Sequence, residues 1–178
     1  RILIILLVLF VLLVFYKAFR GIILLILFIP MAKYSVRVTA FINYVTLETY
    51  TASTILMAYL FGPLAGLLTG LFLGTYAYLV NSVTKLLALL NVAVAATTGV
   101  FIGFLVSVFF KDMTFSTAFI WGMLFHNIVA YILFVFMDPD QIQNVTYRTT
   151  HVIWNIFIVR LVFIVIYNLY SLIIFKTE

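Results

Sequence analysis

Arg160 stands about eight residues inside the apolar run 152–175, which places it near the middle of the hydrocarbon by helical rise. A charged side chain at such depth in a bilayer costs roughly 2.5–3.5 kcal/mol on insertion scales unless something partners it. Tyr167 and Ser171 follow on the same helical face, so this stripe is predicted to look into a bundle or across a subunit interface. Three partners are open to the guanidinium. It can pair structurally with Glu48, the acid nearest an apolar run, or with backbone carbonyls; it can anchor an anionic group of a ligand; or it can reach a neighbouring subunit.

Two similar clusters accompany it. Trp121, His126 and Asn127 sit in one long run, and His151, Trp154 and Asn155 open the next. His126 shares a face with Gly122 and Ala130, which points it at a closely packed neighbour. His151 and Asn155 are one turn apart and are predicted near the membrane surface. Each histidine is either a satisfied hydrogen-bonder, or a ligand or proton carrier. With no Asp or Glu beside them in the sequence, two histidines make a poor metal site, and none is predicted. The candidate binding set is Glu48, Tyr50, His126, Asn127, Trp154, Asn155 and Arg160. No nucleophile has an adjacent base, no glycine-rich phosphate loop leads into a lysine, and no pair of intramembrane carboxylates is present. The chain is therefore expected to be no enzyme, with no catalytic residues and no cofactor. It has no cysteine, which removes disulfides and thiolate chemistry.

The elements that must position these residues follow from composition. Of 178 residues 67% are hydrophobic and 8% charged, against about 45–50% apolar and about a quarter charged in soluble domains. Apolar runs cover 2–16, 21–32, 50–61, 64–80, 86–110, 115–137 and 152–175. A span needs roughly 20 residues, so the last three cross unaided. The prediction is an all-α fold, a polytopic transmembrane bundle of six to seven helices forming a single integral membrane domain over 1–178, in the cell membrane. The first two runs are short and separated by Lys17 and Arg20; two short helices, or one span and an interfacial helix, fit them. Run 2–16 has the length of a signal-peptide core but no small-residue cleavage site after it, and is read as retained.

Residues 33–47 alternate polar with apolar and are read as a long connection, either an interfacial helix or an extended stretch over the bundle. Residues 138–149 are the hydrophilic stretch, opening on an Asp-Pro-Asp turn and containing Asn144-Val-Thr146, a match to a glycosylation acceptor. The net charge of +5 comes from ten basic residues against five acids. The basic residues are scattered singly, which excludes nucleic acid as a partner and suits anchoring to the lipid bilayer. They divide almost equally between the two sides, so orientation is not specified.

Small residues form two ladders. Thr54, Ala58, Gly62, Gly66, Gly70 and Gly74 recur every fourth position, as do Asn91, Ala95, Gly99, Gly103 and Ser107. Helix association in lipid depends on close backbone approach, which such stripes permit. Gly62, Pro63, Gly66, Gly70, Gly74, Asn91, Ala95, Gly99 and Gly103 are therefore assigned to helix packing, with Gly62-Pro63 forming a hairpin of almost no loop. The same flat faces could also let helices slide or admit a ligand.

The stretch TILMAYLFGPLAGLLTGLFLG, residues 54–74, resembles a segment of the substrate-binding S components of energy-coupling factor vitamin transporters, and a related pattern in the rod-shape MreD proteins. Gly62, Pro63, Gly66 and Gly70 match it, and residues 91–103 resemble the helix that follows; about fifty residues are covered. The resemblance implies a six-helix bundle that binds a small vitamin or metabolite, with residues 33–47 helping to close the site. It also implies docking to a transmembrane coupling subunit driven by ATPases. S components usually dock through an Ala-x-x-x-Ala surface on the first helix, which neither 2–16 nor 21–32 carries; MreD-type proteins often have an acid after the glycine helix, and 75–81 has none. Two functions are carried forward: a small-molecule binding and uptake component, or a structural or accessory subunit whose ladders and Arg160 contact other membrane subunits.

Overall fold

The computed structural model of the chain describes residues 4, 5, 7, 8, 19–41, 47–81, 86–137 and 145–175. Ile4, Ile5, Leu7 and Val8 are helical and exposed; the rest of that run, and with it the retained-segment reading, lies outside the described residues. So do positions 138–144, which hold the Asp-Pro-Asp turn and Asn144. Among the described residues the fold is all-helical, with six helices and no strand.

Helix α1 is Arg20–Phe41, α2 Thr49–Phe61, α3 Pro63–Val80, α4 Leu86–Phe104 and α5 Phe115–Met137. A π-helical turn, Leu105–Phe109, extends α4. The sixth, α6, is one continuous rod, α-helical over Val145–Trp154, π-helical over Asn155–Val159 and α-helical again over Arg160–Phe175. All but α2 are long and apolar enough to cross a membrane. Leu64, Leu68 and Phe72 on α3 and Leu161, Val165, Leu169 and Leu172 on α6 are exposed stripes that suit lipid. In hydrocarbon every backbone polar group needs an internal partner, which is why these runs resolve into helices. The chain is a multi-pass integral membrane protein.

The expectation of a separate connection beginning at residue 33 is corrected over 33–41, while positions 42–46 lie outside the described residues. Helix α1 continues through Lys33 and Arg37 to Phe41. Those two cations lie one turn apart, and Asn81 at the end of α3 serves both turns. Its Nδ2 donates to Lys33 O at 3.2 Å, and Arg37 Nε donates to its Oδ1 at 3.3 Å. The run 21–32 is thus part of one membrane-length helix and not a short one.

Helix α2 is the central post. Its thirteen residues reach about 20 Å by helical rise, short of a hydrocarbon layer about 30 Å thick. Every residue from Tyr50 to Ala58 is buried, as befits a helix apolar or small on all sides. Ser53 and Thr54 return their hydroxyls to the carbonyls of Thr49 and Tyr50 at 2.7 and 2.8 Å. Thr49 Oγ1 donates to Met31 O at 2.9 Å, midway along α1. Helix α2 therefore starts at membrane depth and runs to one end of the bundle. There Tyr59 OH donates to Met113 O at 2.8 Å, and the Tyr59 ring stacks edge-on against Phe115 and Tyr167.

The two ladders meet face to face. A Cβ added to Gly66 would stand 2.6 Å from Ala58 Cβ and 2.8 Å from Gly99 Cα; one on Gly70 would stand 2.7 Å from Ala96 Cα. Gly103 faces the backbone of Pro63, and Gly74 faces the Val92 side chain. Helices α3 and α4 thus meet at backbone contact, with Ala58 of α2 packed against Gly66. Gly62 makes the turn into α3 with φ +89° and ψ −178°, a region almost reserved for glycine. A Cβ there meets nothing within 4 Å, so Gly62→Ala should cost only the backbone strain, about 1–3 kcal/mol. Melting in micelles reads this, and an unchanged midpoint would mean the turn relaxes freely.

Candidate binding site within the bundle

Glu48 is the N-terminal flanking residue of α2 and 8% exposed. Because α2 begins in the interior, its carboxylate is held at membrane depth, where an ionisable group needs partners. Two histidines supply them. His151 Nε2 on α6 lies 3.0 Å from Glu48 Oε1, and His126 Nε2 on α5 lies 3.3 Å from Glu48 Oε2. His126 is the central residue of α5 and 1% exposed. Two histidines without a carboxylate beside them in sequence thus acquire one in space, from a segment far away in the chain.

Asn155 completes the clamp. It opens the π-helical turn of α6 and is wholly buried. Its Nδ2 donates to the carbonyl of His151 one turn back at 2.9 Å, and its Oδ1 accepts the backbone N–H of Glu48 at 2.8 Å. One side chain therefore fixes both Glu48 and the turn that carries His151. A widened turn of this kind inside a helix often coincides with a functional site. On the far side of His126, Thr98 of α4 lies 3.5 Å from Nδ1 and gives its hydroxyl hydrogen to Val94 O at 2.7 Å.

Next to this cluster runs a second polar line. Tyr50 OH and Tyr78 OH are 3.2 Å apart, and Asn91 Nδ2 donates to Tyr78 OH at 3.2 Å. Asn91 thus serves this line at the end of its ladder. Thr51 Oγ1, also buried, has no hydrogen-bond partner.

Of the residues singled out from the sequence, the structure brings Glu48, His126 and Asn155 together, with Tyr50 two positions away on the adjoining line. Asn127 turns outward. It donates to Met123 O at 2.8 Å and lines an apolar groove with Tyr131 and Val152. Trp154 is half-buried on α6 beside Asn155. Arg160 lies five positions further along, part-buried, with no hydrogen-bond partner at Nε. The pairing of Arg160 with Glu48 is not found: the carboxylate is held by the two histidines instead. Tyr167, on the Arg160 stripe, does pack inward, its ring 5.0 Å from that of Phe115. His151 and Thr98 join the site without having been in the candidate set. The one-turn spacing of His151 from Asn155 was the available signal for the first; Thr98 had none.

The described residues contain no group of three or more His, Cys, Asp or Glu side chains arranged to hold a metal ion. Comparison with protein-family models, curated proteins and solved structures returns no match to this chain.

Proposed function

We propose that this membrane protein is a small-molecule uptake component, S-component-like in character, that binds a small vitamin or metabolite and does no chemistry of its own. One observation carries the reading: Glu48, His126, His151 and Asn155 converge from α2, α5 and α6 on one buried polar point inside an apolar bundle. Buried intramembrane charge is costly to keep and commonly marks a substrate or ion pathway. The acceptor oxygen Glu48 Oε2 has no aligned hydrogen bond, so the site favours a polar ligand carrying N–H or O–H donors. The glycine-packed α2–α3–α4 unit, which carries the resemblance to S components, supplies the rigid wall behind it.

Purified protein screened by thermal shift against vitamins and metabolites should show one stabilising class, and His151→Ala should abolish that shift. Association with a pair of ATPases on mild solubilisation would agree with this reading. Absence of any stabilising ligand, together with stoichiometric retention of other membrane subunits, would overturn it in favour of an accessory-subunit role.

A further inference from the structure

The hydrogen bonds around His126 leave a proton to be accounted for. Thr98 has a single hydroxyl hydrogen, and it is given to Val94 O at 2.7 Å. Toward His126 Nδ1, at 3.5 Å, Thr98 can therefore only accept, which assigns a hydrogen to Nδ1. If the ring is neutral, Nε2 is then bare. Yet Nε2 faces Glu48 Oε2 at 3.3 Å, and neither atom has another partner. Two acceptors would confront each other in a buried place.

We propose that Glu48 Oε2 and His126 Nε2 hold one exchangeable proton between them, making an intramembrane proton-binding site. The balance of charge supports it independently. With the proton, the pair is an imidazolium with a carboxylate or a neutral imidazole with a carboxylic acid, and it is neutral either way. Without the proton, and with His151 neutral, the pair carries a net negative charge inside the bundle, which hydrocarbon disfavours strongly. The contact is close but not aligned as a hydrogen bond, so the proton is held without being locked.

The groups packed around this pair are engaged elsewhere, except that His151 shares the same carboxylate. From α6, His151 Nε2 binds the other carboxylate oxygen, and Asn155 binds the Glu48 backbone. From α2 and α3, Tyr50 and Tyr78 bind each other. From α1, Arg37 is engaged by Asn81. Arg160, further along α6, makes no ion pair with Glu48. A ligand that shares or displaces the proton on arrival would link uptake to proton movement; that clause rests on the uptake reading above.

The test needs no ligand. The chain has two histidines, so nitrogen-15 histidine labelling in detergent micelles gives two rings, assigned with His151→Gln. His126 should carry hydrogen on Nδ1 in the wild-type protein. A neutral ring protonated on Nε2 alone overturns the proposal, and this reading stands whether or not any Glu48 variant folds. The second measurement is melting in micelles at a single pH. Glu48→Gln, whose amide N–H can donate to Nε2 in place of the shared proton, should keep most of the wild-type midpoint. A Glu48→Gln midpoint as low as that of Glu48→Ala overturns the proposal. A failed ligand screen would leave this result untouched, and a failed proton test would leave the uptake reading standing.

Discussion

Glu48→Ala is expected to destabilise the folded protein by about 3–5 kcal/mol, the usual consequence of removing one partner from a buried charge pair. Two histidine Nε2 atoms would lose the group they face at 3.0 and 3.3 Å. Glu48→Gln tests the cause. Its carbonyl can accept from His151 and its amide can donate to His126, so the hydrogen-bond pattern survives without a formal charge and the loss should stay within about 1 kcal/mol. Asn127→Ala is the matched control, since that side chain bonds only its own helix, at Met123 O, and turns to the outer groove. Unfolding in mixed micelles titrated with a denaturing detergent ranks the three. If Glu48→Ala were no worse than Asn127→Ala, the cluster would contribute nothing to holding α2, α5 and α6 together.

That cluster was only half visible in the sequence. Glu48, His126 and Asn155 could be named because polar side chains beside or inside apolar runs are few. Their convergence could not: Glu48 and Asn155 are 107 residues apart, and no local spacing connects them. His126-Asn127 and His151 with Asn155 look alike as sequence, yet only Asn155 turns inward, at the start of a π-helical turn that no residue pattern announces. Arg160 drew attention as an isolated charge, but depth along a helix does not say which acid is near. The carboxylate expected to meet it enters the bundle on α2, a helix too short to span, and is met first by histidines. The helical membrane character was legible throughout, because apolar runs of spanning length admit few alternatives. The helix over 33–41, expected as part of a connection, has a plain reason for being hard to see. Its alternating polar and apolar residues fit neither period cleanly, and its partner Asn81 is contributed by another helix.

The ladders, read from spacing alone, lead to the largest expected effect of any single substitution outside the site. Gly99→Leu should prevent recovery of folded protein. A Cβ there would stand 2.5 Å from the carbonyl carbon of Gly66 and 2.7 Å from its oxygen. Both are backbone atoms of a helix, so no side chain can swing aside, and α3 and α4 would have to separate along their whole contact. Overpacking in a yielding core costs about 1–3 kcal/mol; here the obstacle is rigid, and the loss should exceed that range. Two other glycines show whether geometry or glycine content is responsible. A Cβ on Gly74 meets Val92 Cγ2 at 3.0 Å, a side-chain terminus, and one on Gly21 meets Met57 and Phe61 at 3.6 and 3.7 Å, ordinary contact. Gly74→Ala should therefore lower the melting midpoint modestly, and Gly21→Ala should leave it unchanged or raise it, since alanine favours a helix by up to about 1 kcal/mol. Size-exclusion recovery and melting of the three variants give the order Gly99, Gly74, Gly21 from most to least damaging. Equal tolerance at all three would mean that α3 and α4 do not meet at backbone contact. In that case the rigid wall behind Glu48 and His126 would be lost with the ladder that builds it.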